Sequence, residues 1–158
     1  LARDFAPHKG IRHVKLSMKG DYGIRALLDL AERYGEGQVQ SRDIAERQEI
    51  PEPYLDQLLT ALRKAGFVLS RRGPQGGHML AHQPEQISLA EVITALEGSL
   101  STIGCLDGTL NCTFNGHCGQ QEIWQLVTDA TQQVLLKTTI ADLLERHRAK
   151  QQRAMYYI

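Results

Sequence analysis

The sequence predicts a mainly α-helical protein with a small β-wing, arranged as a winged helix-turn-helix domain followed by a long dimerisation helix. Three observations favour this fold class. Apolar residues recur at helical spacing in the first half of the chain, a glycine-rich turn then separates two short apolar runs, and helical spacing returns over a long stretch of the second half. With 158 residues, we expect one compact unit with a long appendage.

The first two helices lie before a tight connection. The first is predicted from Lys19 to Tyr34, because its apolar residues keep helical spacing until Gly35 interrupts them. The second is short. We expect Ser41 to be its N-cap and the helix to end before Pro51.

The third helix is predicted beyond Pro51 and Pro53 and ends near Gly66. Its apolar residues follow the i, i+3, i+4, i+7 pattern of one buried stripe. They are Leu55, Leu58, Leu59 and Leu62. Two short helices joined by a tight turn indicate a helix-turn-helix.

A β-hairpin is predicted directly after the third helix. Short apolar runs at 67–69 and 78–81 flank a glycine-rich turn at 73–77. A helix-turn-helix followed at once by a basic hairpin is the layout of a winged helix. Ser88 and Glu91 then have the spacing of a capping box, which predicts a fourth helix.

One long helix is predicted from Gln121 to about His147. At roughly 25 residues it is longer than a core of this size needs, so we expect it to pack against a copy of itself in a homodimer. The alternative is that it lies back across its own winged domain. Its apolar residues include Ile123, Val127, Ala130, Val134, Ala141 and Leu144. Residues 148–158 are expected to form a frayed tail.

The charge of the chain is unevenly distributed although its formal net charge is zero. Residues 1–82 carry 13 Lys+Arg against 10 Asp+Glu, a balance of +3, and residues 83–158 carry 5 against 8, a balance of −3. The first half is therefore the candidate DNA-facing half. No apolar run approaches the length of a bilayer span, and the N-terminus lacks the apolar core of a secretory signal, so we expect a cytoplasmic protein with no membrane insertion.

All three cysteines lie in one glycine-rich stretch, GCLDGTLNCTFNGHCGQ, that has neither helical nor strand periodicity. Six residues separate Cys105 from Cys112, and five separate Cys112 from Cys118. Clustered thiols in a reducing compartment favour a metal over a disulfide. A four-coordinate site held by three thiolates needs a fourth ligand from elsewhere. Inert thiols and a structural zinc site remain open alternatives.

These residues together closely resemble the IscR and NsrR type of bacterial transcription regulator, the Rrf-two superfamily. The resemblance runs from about Val14 to Leu144. It is carried by KLSMKGDYGIRALLDLA, by IPEPYLDQLLTALRKAGFVLSRRGPQGGHML, by SLAEVITALEG and by the three cysteines. It implies a homodimeric regulator, a repressor or redox sensor, that binds double-stranded DNA at an imperfect palindrome. It also implies an iron-sulfur cluster of the 2Fe-2S type that controls DNA affinity.

Members of the superfamily usually begin with methionine where Val14 stands, so residues 1–13 are expected to be an upstream extension or an expression remnant. The rest of the chain is predicted to divide into four parts. These are a winged helix-turn-helix domain at 14–98, a cysteine loop that binds the cluster at 99–120, a dimerisation helix at 121–147 and a tail at 148–158.

The third helix presents a polar face away from its leucine stripe. Side chains on such a face can reach base edges or phosphates in a major groove, although an ordinary solvated surface explains each of them on pattern alone. They are Tyr54, Asp56, Gln57, Thr60 and Arg63. The resemblance favours Tyr54, Asp56 and Gln57 as DNA contacts, with glutamate where Asp56 stands in IscR-type proteins.

Two arginines of the hairpin, Arg71 and Arg72, lie beside its glycine turn. This arrangement suits a narrow minor groove, whose negative potential attracts arginine. The resemblance favours Arg72 for that contact.

The fourth cluster ligand has three candidates. IscR-type proteins place a histidine three residues after the last cysteine, but this chain has Gln121 there, a poor ligand for iron. His117 adjoins Cys118, and adjacent residues rarely reach one metal without strain. NsrR-type proteins bring an aspartate from the other subunit, at the position that Asp21 occupies here. The resemblance therefore favours Asp21, although the helix dipole alone also favours a carboxylate in a first helical turn.

Two other classes of function compete with the cluster-controlled regulator. One is a zinc-stabilised or metal-free winged-helix dimer that binds DNA without sensing a cluster. The other is an enzyme with Cys118 as nucleophile and His117 as base. We do not expect an enzyme, because the pair is adjacent in sequence and no third residue is in view to orient the histidine.

Overall fold

The computed structural model of the chain describes residues 17–101, 106, 108 and 118–155. Within these residues, a two-stranded antiparallel sheet packs against the helices. The helices are α1 (Met18–Glu32), α2 (Ser41–Gln48), α3 (Glu52–Lys64), α4 (Leu89–Glu97), α5 (Gln121–Lys137) and α6 (Ile140–Met155), and the strands are β1 (Val68–Arg71) and β2 (Gly77–Leu80). Strand β1 is in contact with α3, and β2 is in contact with α1. A mainly α fold with a small β-wing is confirmed.

The core lies where α1, α3 and α4 meet. The predicted leucine stripe of α3 is confirmed, because its four leucines are at most 1% exposed. Burial of each such side chain stabilises the fold by roughly 2 kcal/mol. Gly23 of α1 lies against Leu96 of α4 so closely that a Cβ atom at position 23 would collide with the leucine. The glycine therefore sets the spacing between α1 and the last turn of α4.

A charged cluster inside the fold joins α1 to α2. The carboxylate of Asp29 is fully buried, and Arg47 donates to both of its oxygens, from Nε at 2.9 Å and from Nη2 at 2.8 Å. Gln48 donates a further hydrogen bond at 3.2 Å, and Arg33 lies 3.3 Å away as a second cation. The hydrogen bond to Asp29 raises the pKa of Arg47 above its usual range. We call these four residues the Asp29 cluster.

Two predicted helix starts can be compared with the structure. The capping box of α4 is confirmed, with Ser88 accepting from the Glu91 backbone and Glu91 accepting from the Ser88 backbone. The predicted N-cap of α2 was wrong. Gln40 is the N-cap and Ser41 is the first residue of the helix, since the Ser41 hydroxyl is hydrogen-bonded to the ring of His78 instead.

The prediction of one helix from Gln121 to His147 was also wrong. The chain turns at Thr138, which is extended, and α6 then starts afresh. Thr139 and Asp142 cap the new helix reciprocally, with both the Thr139 N–H and its hydroxyl donating to the Asp142 carboxylate at 2.8 and 2.9 Å. These hydrogen bonds lower the pKa of Asp142. The tail prediction was wrong as well, because α6 continues to Met155.

The junction between α5 and α6 is attached to the segment that precedes α4. Leu89 N–H donates to the Thr138 carbonyl at 2.9 Å, and Ile140 N–H donates to the Ile87 carbonyl at 2.9 Å. Ile140 is completely buried and Leu144 is 7% exposed, so α6 belongs to the core. The alternative arrangement, a segment that lies back on its own domain, therefore holds for α6.

Helix α5 is different, because Thr128 is the one residue of that helix in the buried class. Leu135 is partly buried against the core. Six other large apolar side chains of the helix are 37–65% exposed. They are Ile123, Trp124, Leu126, Val127, Val134 and Leu136. Among the residues that the structure describes, no helix has the length and apolar character needed to cross a membrane.

Candidate DNA interface and cysteine loop

The predicted DNA-contacting side chains of α3 lie on one surface. Asp56, Gln57, Thr60 and Arg63 are exposed, and Tyr54 is partly buried. We call this surface the reading face. Within the described part of the chain, the four exposed side chains form no hydrogen bond or ion pair with other protein groups. Tyr54 packs edge-on against Tyr22 of α1, with ring centroids 5.9 Å apart and planes at 72°. The reading face is thus available to a partner and is connected to α1 at Tyr54.

The two wing arginines are also exposed. Arg71 ends β1 and pairs with Gly77 across the hairpin, and Arg72 follows directly. The turn is tight, because a Cβ atom at Gly76 would lie 2.8 Å from the carbonyl carbon of Arg72. Within the described residues, neither guanidinium has an ion-pair partner. The wing therefore presents two free cations on a closely packed turn.

His78 of β2 lies between the wing and the helix-turn-helix. Its Nδ1 is 2.8 Å from the Ser70 hydroxyl of β1, and its Nε2 is 3.0 Å from the Ser41 hydroxyl of α2. Burial lowers the pKa of His78, the charge of Arg63 lowers it further, and Asp56 opposes them. The sequence predicts a strand here but assigns His78 no role, because only the fold brings the two serines to its ring.

This depressed pKa predicts a dependence of stability on pH. The unfolded chain takes up a proton at His78 near its ordinary value of about 6.5, whereas the folded chain resists protonation. The contribution of neutral His78 to the free energy of unfolding is therefore fully present above about pH 6.5, and it is lost as the pH falls below that value. Urea unfolding at pH 7.5 and 5.5 should show a larger loss of stability for the wild type than for His78→Gln. An equal loss in both proteins would contradict the prediction.

The cysteine loop is described in part. Cys118 is a partly exposed free thiol, and its carbonyl accepts the N–H of Gln121 at 3.2 Å, where α5 begins. Cys105, Cys112 and His117 lie outside the described residues. Among the residues that are described, no group of three or more His, Cys, Asp or Glu side chains could hold a metal ion.

Asp21 lies in the first turn of α1, with its side chain 49% exposed. Its carboxylate is 3.6 Å from Nη1 of Arg25, one helical turn later. Nη2 of Arg25 donates to the carbonyl of Gln48 at the end of α2, and the guanidinium lies 5.3 Å from the centroid of the Tyr22 ring. Sequence reasoning missed Arg25, whose spacing from Asp21 was the available signal.

The start of α1 is also attached to the end of α4, just before the cysteine loop. The hydroxyl of Ser17, which is the N-cap of α1, donates to Glu97 at 2.6 Å. The close contact between Gly23 and Leu96 lies on the same side. The helix that carries Asp21 is therefore held against the residues that lead into the loop.

Comparison with known proteins agrees with this arrangement. Residues 16–146 match the Rrf2 family, described as "Iron-dependent Transcriptional regulator". The chain is 35% identical over 145 residues to the HTH-type transcriptional regulator CymR of Bacillus subtilis, covering 92% of this chain and 100% of CymR. It is 37% identical over 131 residues to the HTH-type transcriptional regulator IscR of Serratia proteamaculans, covering 83% and 79%.

A solved structure, IscR of T. potens, superposes with a TM-score of 0.71 at 40% identity, covering 87% of this chain and 91% of that one. These proteins are named as regulators and not as enzymes, and winged-helix regulators share the fold described above. The predicted resemblance to the Rrf-two superfamily is confirmed. The chain belongs to the Rrf2 family of DNA-binding transcriptional regulators.

Proposed function

We propose that the chain is a homodimeric regulator whose affinity for its operator is controlled by an iron-sulfur cluster of the 2Fe-2S type. The ligands would be Cys105, Cys112 and Cys118 of one subunit and Asp21 of the other, as the resemblance to NsrR-type proteins implies, with His117 and Gln121 less favoured. The observation that carries the proposal is the placement of Asp21. Its accessible carboxylate lies on the helix that contacts both the reading face and the base of the cysteine loop.

The donor set suits such a cluster. Thiolates are soft ligands that iron-sulfur clusters prefer, and Cys118 is accessible and unpaired in the described part of the chain. Asp21 is accessible too, and its ion pair with Arg25 is partly exposed, a type worth about 0–1 kcal/mol. Exchanging that ion pair for a metal ligand therefore costs little. When bound, the cluster supplies a centre that reacts with oxidants and nitric oxide.

The residues around Asp21 offer a path to DNA. If the carboxylate is taken as a ligand, Arg25 loses its ion-pair partner while it still contacts Gln48 and Tyr22. Gln48 precedes the turn of the helix-turn-helix, and Tyr22 packs on Tyr54. A change at Asp21 can therefore reach α3 in two ways, through the contact of Arg25 with the end of α2 and through the packing of Tyr22 on Tyr54.

Recognition of DNA is assigned to the reading face and the wing. Gln57 has the amide that pairs with adenine, and Asp56 can accept from a cytosine amino group. Arg72, with Arg71 beside it, is placed in a minor groove, and Thr60 and Arg63 extend the reading face along α3. A two-fold dimer then presents two α3 helices roughly 34 Å apart to an imperfect palindrome.

The homodimer is assigned to α5. Ile123, Val127, Ala130 and Val134 are spaced by four, three and four residues, as in the seam of a coiled coil, and all four are exposed. An apolar stripe of this kind is stabilised by burial against an identical stripe.

The function can be tested by measuring DNA binding of cluster-loaded, oxidised and apo protein side by side. A duplex would first be selected from a random library with the anaerobically purified protein. We expect the three states to differ in affinity by about tenfold or more, a coupling of about 1.4 kcal/mol. Equal affinity in all states, or zinc in place of iron and sulfide, would favour the structural metal site instead.

The role of Asp21 predicts a specific defect in Asp21→Ala. We expect the absorption spectrum of the reconstituted cluster to change and the cluster to be lost faster in air. Asp43→Ala is the matched control, because Asp43 is also an acidic residue in a first helical turn and loses the same dipole interaction of about 0.3–1 kcal/mol. Identical spectra and cluster lifetimes for the two variants would remove Asp21 from the ligand set.

A further inference from the structure

His78 makes more connections between elements than a surface histidine needs. Its ring is hydrogen-bonded to Ser70 on one side and to Ser41 on the other. Its backbone also pairs with Val39, the residue two before α2, through N–H to carbonyl hydrogen bonds of 2.7 and 2.9 Å in the two directions. One residue thus links β1, β2 and the entry to α2.

The wing depends on these links because it has little core of its own. Each strand has one buried residue, Val68 in β1 and Leu80 in β2, and the other strand residues are exposed or partly exposed. A two-stranded hairpin is only marginally stable when isolated. The pairing with Val39 attaches it to the domain, and the fit is close, since a Cβ atom at Gly77 would lie 2.5 Å from the Val39 carbonyl oxygen.

The same residue is next to both surfaces proposed to contact DNA. The charges of Asp56 and Arg63, on the reading face, act on the His78 ring. On the other side, Arg71 pairs with Gly77, the neighbour of His78 in sequence, and Arg72 follows. A shift of the ring or of its strand would therefore change the distance between the reading face and the wing arginines.

We propose that His78 is a positioning residue for DNA recognition, which holds the wing at a fixed spacing from α3 so that both contact one DNA site together. This inference rests on the proposed DNA contacts of the reading face and Arg72. It goes beyond them in assigning site selectivity to a residue that does not itself contact DNA. The neutral imidazole suits the task, because it has one N–H donor and one acceptor, and each serine hydroxyl can take either role.

Three substitutions separate the two hydrogen bonds. His78→Asn carries a polar atom at about the reach of Nδ1 and should keep the Ser70 bond alone. His78→Gln reaches about as far as Nε2 and should keep the Ser41 bond alone. His78→Phe keeps an aromatic ring without either bond. His82→Phe is the matched control, because His82 is an exposed histidine beyond the end of β2.

The affinity of each variant should be measured for a selected duplex and for a random duplex. We expect His78→Phe to lose about tenfold or more on the selected duplex, with less than about a twofold change on the random one, because phosphate contacts carry non-specific binding. The Asn and Gln variants should fall between Phe and wild type. Equal losses on both duplexes would overturn the proposal.

A double-mutant cycle with Arg72→Ala gives a second readout that loss of fold stability would not produce. If His78 positions Arg72, the Arg72→Ala substitution costs less affinity in the His78→Phe protein than in the wild type. Full additivity would contradict positioning. If Arg72→Ala does not change the affinity of the wild type for DNA, the proposed minor-groove contact is wrong. The role of His78 is then decided by the ratio of the affinity for the selected duplex to that for the random duplex.

Ser70→Ala and Ser41→Ala test the same proposal if the His78→Phe protein does not fold. Each removes one partner of the imidazole while leaving the ring in place. We expect each to lower the affinity ratio of selected to random duplex by about threefold, roughly half of the combined effect in free energy. Two unchanged ratios would overturn the proposal even if His78→Phe does not fold.

Discussion

Asp29→Ala is expected to lower the free energy of unfolding by about 2 kcal/mol, because a buried carboxylate loses its charged hydrogen bonds while Arg47 and Arg33, 35% and 28% exposed, stay partly hydrated. The substitution removes the acceptor of both Arg47 hydrogen bonds and of the Gln48 hydrogen bond. Arg33 and Arg47 are then two neighbouring cations without their shared anion. Urea unfolding at pH 7, followed by circular dichroism, measures the change.

Two further variants sharpen this test. Glu46→Ala removes an exposed acidic residue from α2 and should change stability by less than about 0.5 kcal/mol. Asp29→Asn keeps part of the hydrogen bonding without the charge, so it should fall between the other two. If Asp29→Ala costs no more than Glu46→Ala, the Asp29 cluster does not hold α1 against α2.

Val134→Glu is expected to weaken the proposed dimer by about 100-fold or more. Each copy would bring a carboxylate into the apolar seam, and an unpaired buried charge costs about 3–5 kcal/mol. Sedimentation equilibrium over a range of protein concentrations should show the mass of one chain where the wild type shows two. Operator affinity should fall as well, because separate subunits no longer have the high effective concentration that a dimer gives to its second binding module.

Gln125→Glu is the matched control for the dimer. It introduces the same charge on the same helix, at an exposed position outside the stripe that contains Val134. It breaks a hydrogen bond to Asp129 within α5, which affects the helix by only a few tenths of a kcal/mol. A Val134→Glu protein that stays dimeric at the same concentrations as this control would place the interface elsewhere.

The elements that the sequence predicts well are those with a local cause. The leucine stripe of α3 and the capping box of α4 are visible within a few residues of sequence, and both are confirmed. The Asp29 cluster is not visible, because Asp29 and Arg47 are 18 residues apart on different helices. Charged residues on amphipathic helices are ordinarily solvated, so nothing in the pattern favours burial.

The break between α5 and α6 had a local signal that the apolar spacing obscured. Val134 and Ala141 are seven residues apart, as they would be on one continuous helix. Thr139 and Asp142 nevertheless have the spacing of a capping box. Pairing of the junction with Ile87 and Leu89, which are about fifty residues earlier, fixes the turn, and a local pattern contains no such information.

The candidate site was also predictable only in part. The cysteine spacing and the polar face of α3 can be recognised in the sequence, whereas the preference for Asp21 over His117 and Gln121 came from the family resemblance. The link from Asp21 through Arg25 to Gln48 and the ring contact of Tyr22 with Tyr54 depend on helix packing. They could be found only from the folded chain.

The turn at Thr138 separates two tasks that one continuous helix would have combined. Helix α6 supplies Ile140 and Leu144 to the core, while α5 has a single residue, Thr128, in the buried class. Under the proposed α5 interface, the side chains that join two subunits are therefore different from those that fill the core. Substitutions on the exposed apolar face of α5 should then change the pairing of subunits at little cost to the fold of each one.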